Sequence, residues 1–128
     1  MMLRRGMLLL IVGLVFLLTS CTMTTSTPTP RSGVVTIERV EFVVLESYPL
    51  QVQAHITGYL GDGCTTLTGI SQQREGHVIT ITVKAIHSGA EMCPAIAPML
   101  DQSVMLEGSF TPGQYTVIVN GTAYQLTV

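Results

Sequence analysis

Tryptophan is absent from the 128 residues, and Phe, Trp and Tyr together make up only 5% of them. Indole is the commonest large anchor of protein interfaces, so surface recognition has to rest on Tyr48, Tyr59 and smaller groups. Charge is scarce too, at 11%, with six Lys and Arg against eight Asp and Glu and no basic cluster among them. A slightly acidic chain with neither a basic stripe nor an aromatic platform lacks what nucleic acid or anionic lipid head groups would bind. No nucleic acid is therefore expected among its partners. His55, His77 and His87 stand singly, and none of the three cysteines belongs to a CxxC or CxH pair, so no metal is expected. A catalytic signature is missing as well. Asp62, His87, Glu91 and Asp101 are isolated in the sequence, Gly61-Asp62-Gly63 is too short for a phosphate loop, and Gly108-Ser109 lacks the context of a nucleophile elbow. The chain reads as a non-enzyme without a cofactor.

The longest apolar run, Met7 to Leu18, follows Arg4 and Arg5 and gives way to small polar residues. Charged, apolar and small-residue parts in that order make a secretory signal peptide, and a run of about a dozen residues falls short of the ~20 that span a bilayer as a helix. The four residues Leu18-Thr19-Ser20-Cys21 resemble the bacterial lipobox. The resemblance implies diacylglyceryl attachment to the Cys21 sulfur, cleavage before Cys21 and acylation, as by palmitate, of the new amino terminus. Taken alone, the residues also allow an uncleaved anchor, or a soluble secreted protein in which Cys21 is incidental. Several acyl chains hold a protein on a bilayer where one does not. The expected address is thus the cell membrane or outer membrane, with the domain on the extracytoplasmic side. Thr22 occupies the place of the aspartate that resembles an inner-membrane retention signal, which favours the outer membrane in a host that has two.

Residues 1–20 are read as the leader, 21–33 as a lipidated Thr/Ser/Pro-rich tether and 34–128 as a single domain. With Arg4 and Arg5 gone, the formal charge of −2 becomes more acidic. Once lipid occupies Cys21, Cys64 and Cys93 are an even pair in an exported chain, where thiols are usually oxidised. A Cys64–Cys93 disulfide is expected, closing a loop of about 30 residues and stabilising the domain by roughly 3 to 4 kcal/mol. Thr22 to Gly33 holds almost nothing that could be buried and reads as a disordered, extended spacer.

From Val34 onward the pattern is period two, punctuated by Gly, Pro and Asn. Val34 to Leu45 predicts one or two strands with a bulge or sheet switch where the phase slips between Ile37 and Val40. Tyr48-Pro49 turns the chain. Leu50, Val52, Ala54 and Ile56 alternate with Gln51, Gln53, His55 and Thr57, placing His55 on a wet face. Thr65 to Arg74 and His77 to Ile86 predict a hairpin turning at Glu75-Gly76. The irregular stretch Ser88 to Ser103 is expected to pack Ala95-Ile96-Ala97 and Met99-Leu100 over one end of the core, with Val104 to Phe110 the next strand. Asn120-Gly121 between alternating runs predicts a two-residue type I′ hairpin. The same residues with Thr122 match a glycosylation sequon, which the turn explains better.

Seven or so short strands at this spacing suggest an antiparallel β-sandwich. Phe110-Thr111-Pro112-Gly113-Gln114-Tyr115-Thr116-Val117 resembles the corner before the penultimate strand of immunoglobulin-like and fibronectin-like domains. The resemblance implies an all-β, immunoglobulin-like sandwich in which the Tyr115 hydroxyl bonds back to nearby backbone. The usual core disulfide and its tryptophan are missing, which leaves strand order open. The chain as a whole also looks like small bacterial lipoproteins. The functional expectation is a membrane-anchored, non-catalytic interaction or structural module of the cell envelope, monomeric, with an envelope protein as partner. Its candidate surface is the stapled region: Asp62, Thr65, Glu91, Met92, Ile96 and Met99. A small-ligand-binding lipoprotein and a protease inhibitor of chagasin-like architecture are the alternatives. The inhibitor is weakened because its tryptophan-containing loop has no counterpart here.

Overall fold

The computed structural model describes residues 23–128. The leader and Cys21, with the lipidation expected there, lie outside the described residues. Eight strands follow in order: β1 (Arg31–Ser32), β2 (Val35–Leu45), β3 (Gln51–Leu60), β4 (Thr65–Glu75), β5 (Val78–His87), β6 (Met99–Met105), β7 (Gln114–Val119) and β8 (Thr122–Thr127). One sheet runs β2-β3-β6. In the other, β5 carries β4 on one edge and, on the opposite edge, β7 followed by β8, with β1 sharing that second edge. This is the all-β sandwich that the alternation predicts.

The inward phase of each strand builds the core. Val52, Ala54 and Ile56 come from β3, Ile79, Ile81 and Val83 from β5, and Tyr115, Val117 and Val119 from β7; Leu100, Leu106, Phe110 and Leu126 close the same cluster. Burying each large aliphatic side chain contributes about 1.5 to 3 kcal/mol, which makes this interface between the sheets the main favourable contribution to folding. Local chemistry sets the registers. Asn120 (φ 45°) and Gly121 (φ 89°) both take the left-handed conformation and pair Val119 with Thr122, the type I′ geometry. The β2–β3 ladder shifts register between Ile37 and Arg39, where the phase of the sequence slips. The Tyr115 ring is buried between His77, stacked at 4.4 Å, and Phe110, edge-on at 5.0 Å. Its hydroxyl donates to the Thr111 carbonyl at 3.1 Å and accepts the Thr111 N–H at 3.2 Å, forming the expected corner.

Four elements depart from expectation. Arg31 and Ser32, assigned to the spacer, pair with His87 and Ile86, and Gly33 N–H donates to the Ala85 carbonyl at 2.9 Å. The edge of β5 beyond the end of β7 leaves backbone groups that this polar segment satisfies without burying any side chain. The β5–β7 pair is parallel, within a sandwich expected to be antiparallel throughout. Between those strands the chain crosses to the other sheet as β6 and returns, and parallel neighbours require such a long connection. The strand after the crossover is Met99–Met105 rather than Val104 to Phe110; of the expected strand, Val104 and Met105 end β6, and the Leu106 N–H to the Val52 carbonyl and a Leu50–Phe110 bridge continue the pairing beyond it. Pairing of Met99 with Tyr59 through to Met105 with Gln53 overrides the weak local pattern. Finally, Leu100 alone of the crossover's large apolar residues enters the core, while Ile96 and Met99 stay exposed.

Candidate functional site at the crossover end

At one end of the sandwich, the β3–β4 turn, the last residue of β5 and the crossover to β6 converge. Backbone bonds fix them together: Gly63 N–H to the Pro94 carbonyl at 3.0 Å, Leu60 N–H to Pro98 at 2.9 Å, and Ser88 N–H to Cys64 at 3.0 Å. Turn and crossover approach so closely that a Cβ on Gly63 would lie 2.7 Å from the Pro94 ring. The Cys64–Cys93 disulfide closes the same junction, with the two Cα atoms 5.4 Å apart.

Asp62 is the hub beneath it. Its Oδ1 accepts the Cys64 N–H at 3.0 Å and the Thr65 hydroxyl at 2.9 Å, a side-chain turn of the kind aspartate favours. Its Oδ2 lies 3.2 Å from His87 Nε2. Partial burial works to raise the Asp62 pKa, but the bonds from Thr65 and Cys64 and the neighbouring His87 outweigh it and hold the carboxyl below its ordinary value. Thr65 is buried, whereas the Asp62 side chain keeps about a third of its surface exposed.

His87 is 5% exposed, held between Thr65 on β4 and Arg31 on β1. The backbone N–H of Gly89 donates to its Nδ1 at 2.9 Å. A backbone N–H can only donate, so Nδ1 carries the lone pair and the neutral ring keeps its proton on Nε2. That N–H faces Asp62 Oδ2 and, at 3.5 Å, Cys93 Sγ. Two chemistries are thereby disfavoured. Nε2 already holds its proton and cannot serve as a general base toward Cys93, as a hydrolytic cysteine would need. Asp62, Cys64, His87 and Cys93 do place one potential ligand atom each within 4.8 Å of one another. A metal on Nε2, however, would require the ring proton to move to Nδ1, against the Gly89 N–H, and would require the disulfide to open.

Of the residues singled out from the sequence, Asp62 and Thr65 form this partly buried network, and Cys64 and Cys93 sit beside it. Glu91, Met92, Ile96 and Met99 lie on the outer rim; Met92, Ile96 and Met99 are 92%, 83% and 85% exposed. His55 is not simply solvated. It bonds Asp101 at 2.7 Å and lies 3.8 Å from Glu41 across three neighbouring strands, on the outer face of the smaller sheet. His87 is the member that sequence reasoning passed over. The signal for it was present, because it continues the odd-numbered inward phase of Ile79, Ile81 and Val83.

The profile of the ORF11 β-sandwich domain matches residues 54–128, from within β3 to the end of the chain. The chain belongs to the ORF11 β-sandwich family. Three proteins of Herpetosiphon aurantiacus are similar to it. An uncharacterised 10.2 kDa protein of the HgiCIIM 5′ region is 38% identical over 90 residues, covering 70% of this chain and 96% of that protein. Uncharacterised 10.2 kDa proteins of the HgiBIM and HgiEIM 5′ regions are each 35% identical over 80 residues, covering 62% of this chain and 98% of theirs. No solved structure matches. The ORF11 match takes in Asp62, Cys64, His87 and Cys93, so the whole junction lies inside the family's domain.

Proposed function

We propose that this chain is a lipid-anchored envelope module that binds a protein partner, without catalysis, through the stapled end of its sandwich. The observation that carries the reading is the exposure of Met92 and Ile96 on a crossover fixed by a disulfide and by the Gly63–Pro94 contact, and of Met99 where that crossover enters β6. Because the backbone that carries them is already fixed, covering these side chains costs little further backbone entropy. Single exposed apolar residues are ordinary, but a group of them on one ordered loop is the composition of a contact surface. The segment before Arg31 leaves the domain at this same end, since Arg31 pairs with His87. A membrane anchor at Cys21 would therefore set the stapled end at a limited distance from the bilayer.

The test is photo-crosslinking in intact envelopes from a probe at Ile96, with a control probe at Lys84. A discrete adduct from Ile96 alone, lost in a Met92→Ser/Met99→Ser variant, is expected; equal labelling from both positions would refute the surface. Mass analysis of the N-terminal peptide examines the anchor separately, with acyl mass on Cys21 expected and an unmodified Cys21 overturning it.

A further inference from the structure

We propose that Cys64–Cys93 is an exchangeable disulfide that takes two electrons from a dithiol, with Cys93 as the sulfur that leaves. The two sulfurs differ in what faces them. Each sulfur has a carbonyl beside it, Ala90's at 3.5 Å from Cys93 Sγ and Met92's at 3.8 Å from Cys64 Sγ, acceptors with nothing to give an anion; Cys93 Sγ has in addition the fixed Nε2–H donor of His87 at 3.5 Å. In thiol–disulfide exchange the better-stabilised leaving thiolate departs faster. An incoming thiolate therefore attacks Cys64 Sγ, the bond between Cys64 and Cys93 breaks, and the electron pair stays on Cys93 Sγ as a thiolate, to which the His87 Nε2–H donates a hydrogen bond. Both cysteines are only half-buried, and the residues beside them, Gly63, Met92 and Pro94, are exposed, so the attacking sulfur has a way in. The second thiol of the donor then attacks the mixed disulfide at its own sulfur and releases Cys64. The donor's two thiol protons end on Cys64 and Cys93, and the donor is left as a disulfide; a disulfide-bearing oxidant restores the pair by the reverse steps. Asp62, with a carboxylate oxygen within 4.8 Å of both sulfurs, opposes a lasting thiolate. It thereby drives Cys93 on to the neutral thiol, while its bond to His87 keeps the imidazole aimed. His87 acts on the sulfur it touches, and Asp62 is a positioning residue.

The experiment uses the folded, oxidised protein without denaturant and dithiothreitol as the probe. Reduction is expected in the native state, slowed roughly tenfold in His87→Leu, the effect of one charge-assisted hydrogen bond, and restored to within about threefold in His87→Gln, which keeps an N–H donor. A disulfide that resists dithiothreitol until the protein unfolds, or a His87→Leu variant reduced as fast as wild type, overturns the proposal. Should His87→Leu fail to fold, limiting reduced glutathione on the wild-type protein decides the matter. Glutathione mapped mainly to Cys64 supports Cys93 as the leaving sulfur; equal or reversed labelling refutes it. Neither readout depends on the anchor or on the partner of the stapled end.

Discussion

The side chain of Asn120 holds both backbone groups of Val83: its Oδ1 accepts the Val83 N–H at 2.8 Å, and its Nδ2 donates to the Val83 carbonyl at 3.2 Å. One amide thus stands in for a strand residue. Along this edge of β5, β7 pairs with Val78 to Ile81, Asn120 serves Val83, and the β1 segment serves Ala85 to His87. Replacing Asn120 with Gly keeps the turn conformation but leaves two partly buried backbone groups unpaired. A loss of about 2 to 3 kcal/mol is expected by urea unfolding. Asn120→Ala should lose about 1 kcal/mol more, because it also places a Cβ at positive φ.

Acid should weaken the crossover end through Asp62. Its folded pKa lies below the ordinary value of 3.8, so the unfolded chain binds the proton first and Asp62 stabilises the fold at all pH above that value. As pH falls through the lowered folded pKa, that contribution disappears. Unfolding followed from pH 6 down to pH 2 should show wild type losing stability below about pH 4 more steeply than Asp62→Asn, which keeps an acceptor for Cys64 and Thr65 but no charge. Parallel curves would remove Asp62 from the acid response.

Tyr115→Phe isolates the corner. The hydroxyl bonds the backbone and side chain of Thr111, while the ring keeps its contacts with His77 and Phe110. Thermal unfolding should register a loss of about 1 to 2 kcal/mol, one buried hydroxyl and the partners it leaves unmet, with the β-sheet circular dichroism unchanged.

The paired change Cys64→Ser/Cys93→Ser should lower stability by about 3 kcal/mol relative to the oxidised protein, since the bond closes a long loop in the unfolded chain. Reduced wild type should match the variant. A variant as stable as the oxidised protein would show that the hydrogen bonds from Gly63 and Leu60 hold the junction unaided.

How much of this was readable in advance depended on whether the cause was local. The Asn120-Gly121 turn was legible because few residues other than Asn and Gly accept positive φ, and the bulge near Glu38 because a slipped phase has to be absorbed within the strand. Strand β6 was not, for Gln102 occupies the inward phase between Leu100 and Val104 and breaks the alternation. The parallel β5–β7 contact leaves no mark on either strand. Asp62, His87 and Cys93 come from a turn, a strand end and a crossover, and only the fold brings them together. Each in isolation resembled a turn former, a solvated ring and half of a staple.

The two residues of β1 also decide where load enters the domain. Any pull exerted through the chain before Arg31 arrives first where Thr29 packs against Gly89, then at the short β1 ladder and the Gly33–Ala85 bond, beside His87, and reaches the interlocked core only after these give way. Traction on the N-terminal segment and exposure of the flank of His87 are therefore mechanically linked, and the weakest seam of the sandwich lies next to its most chemically loaded residue.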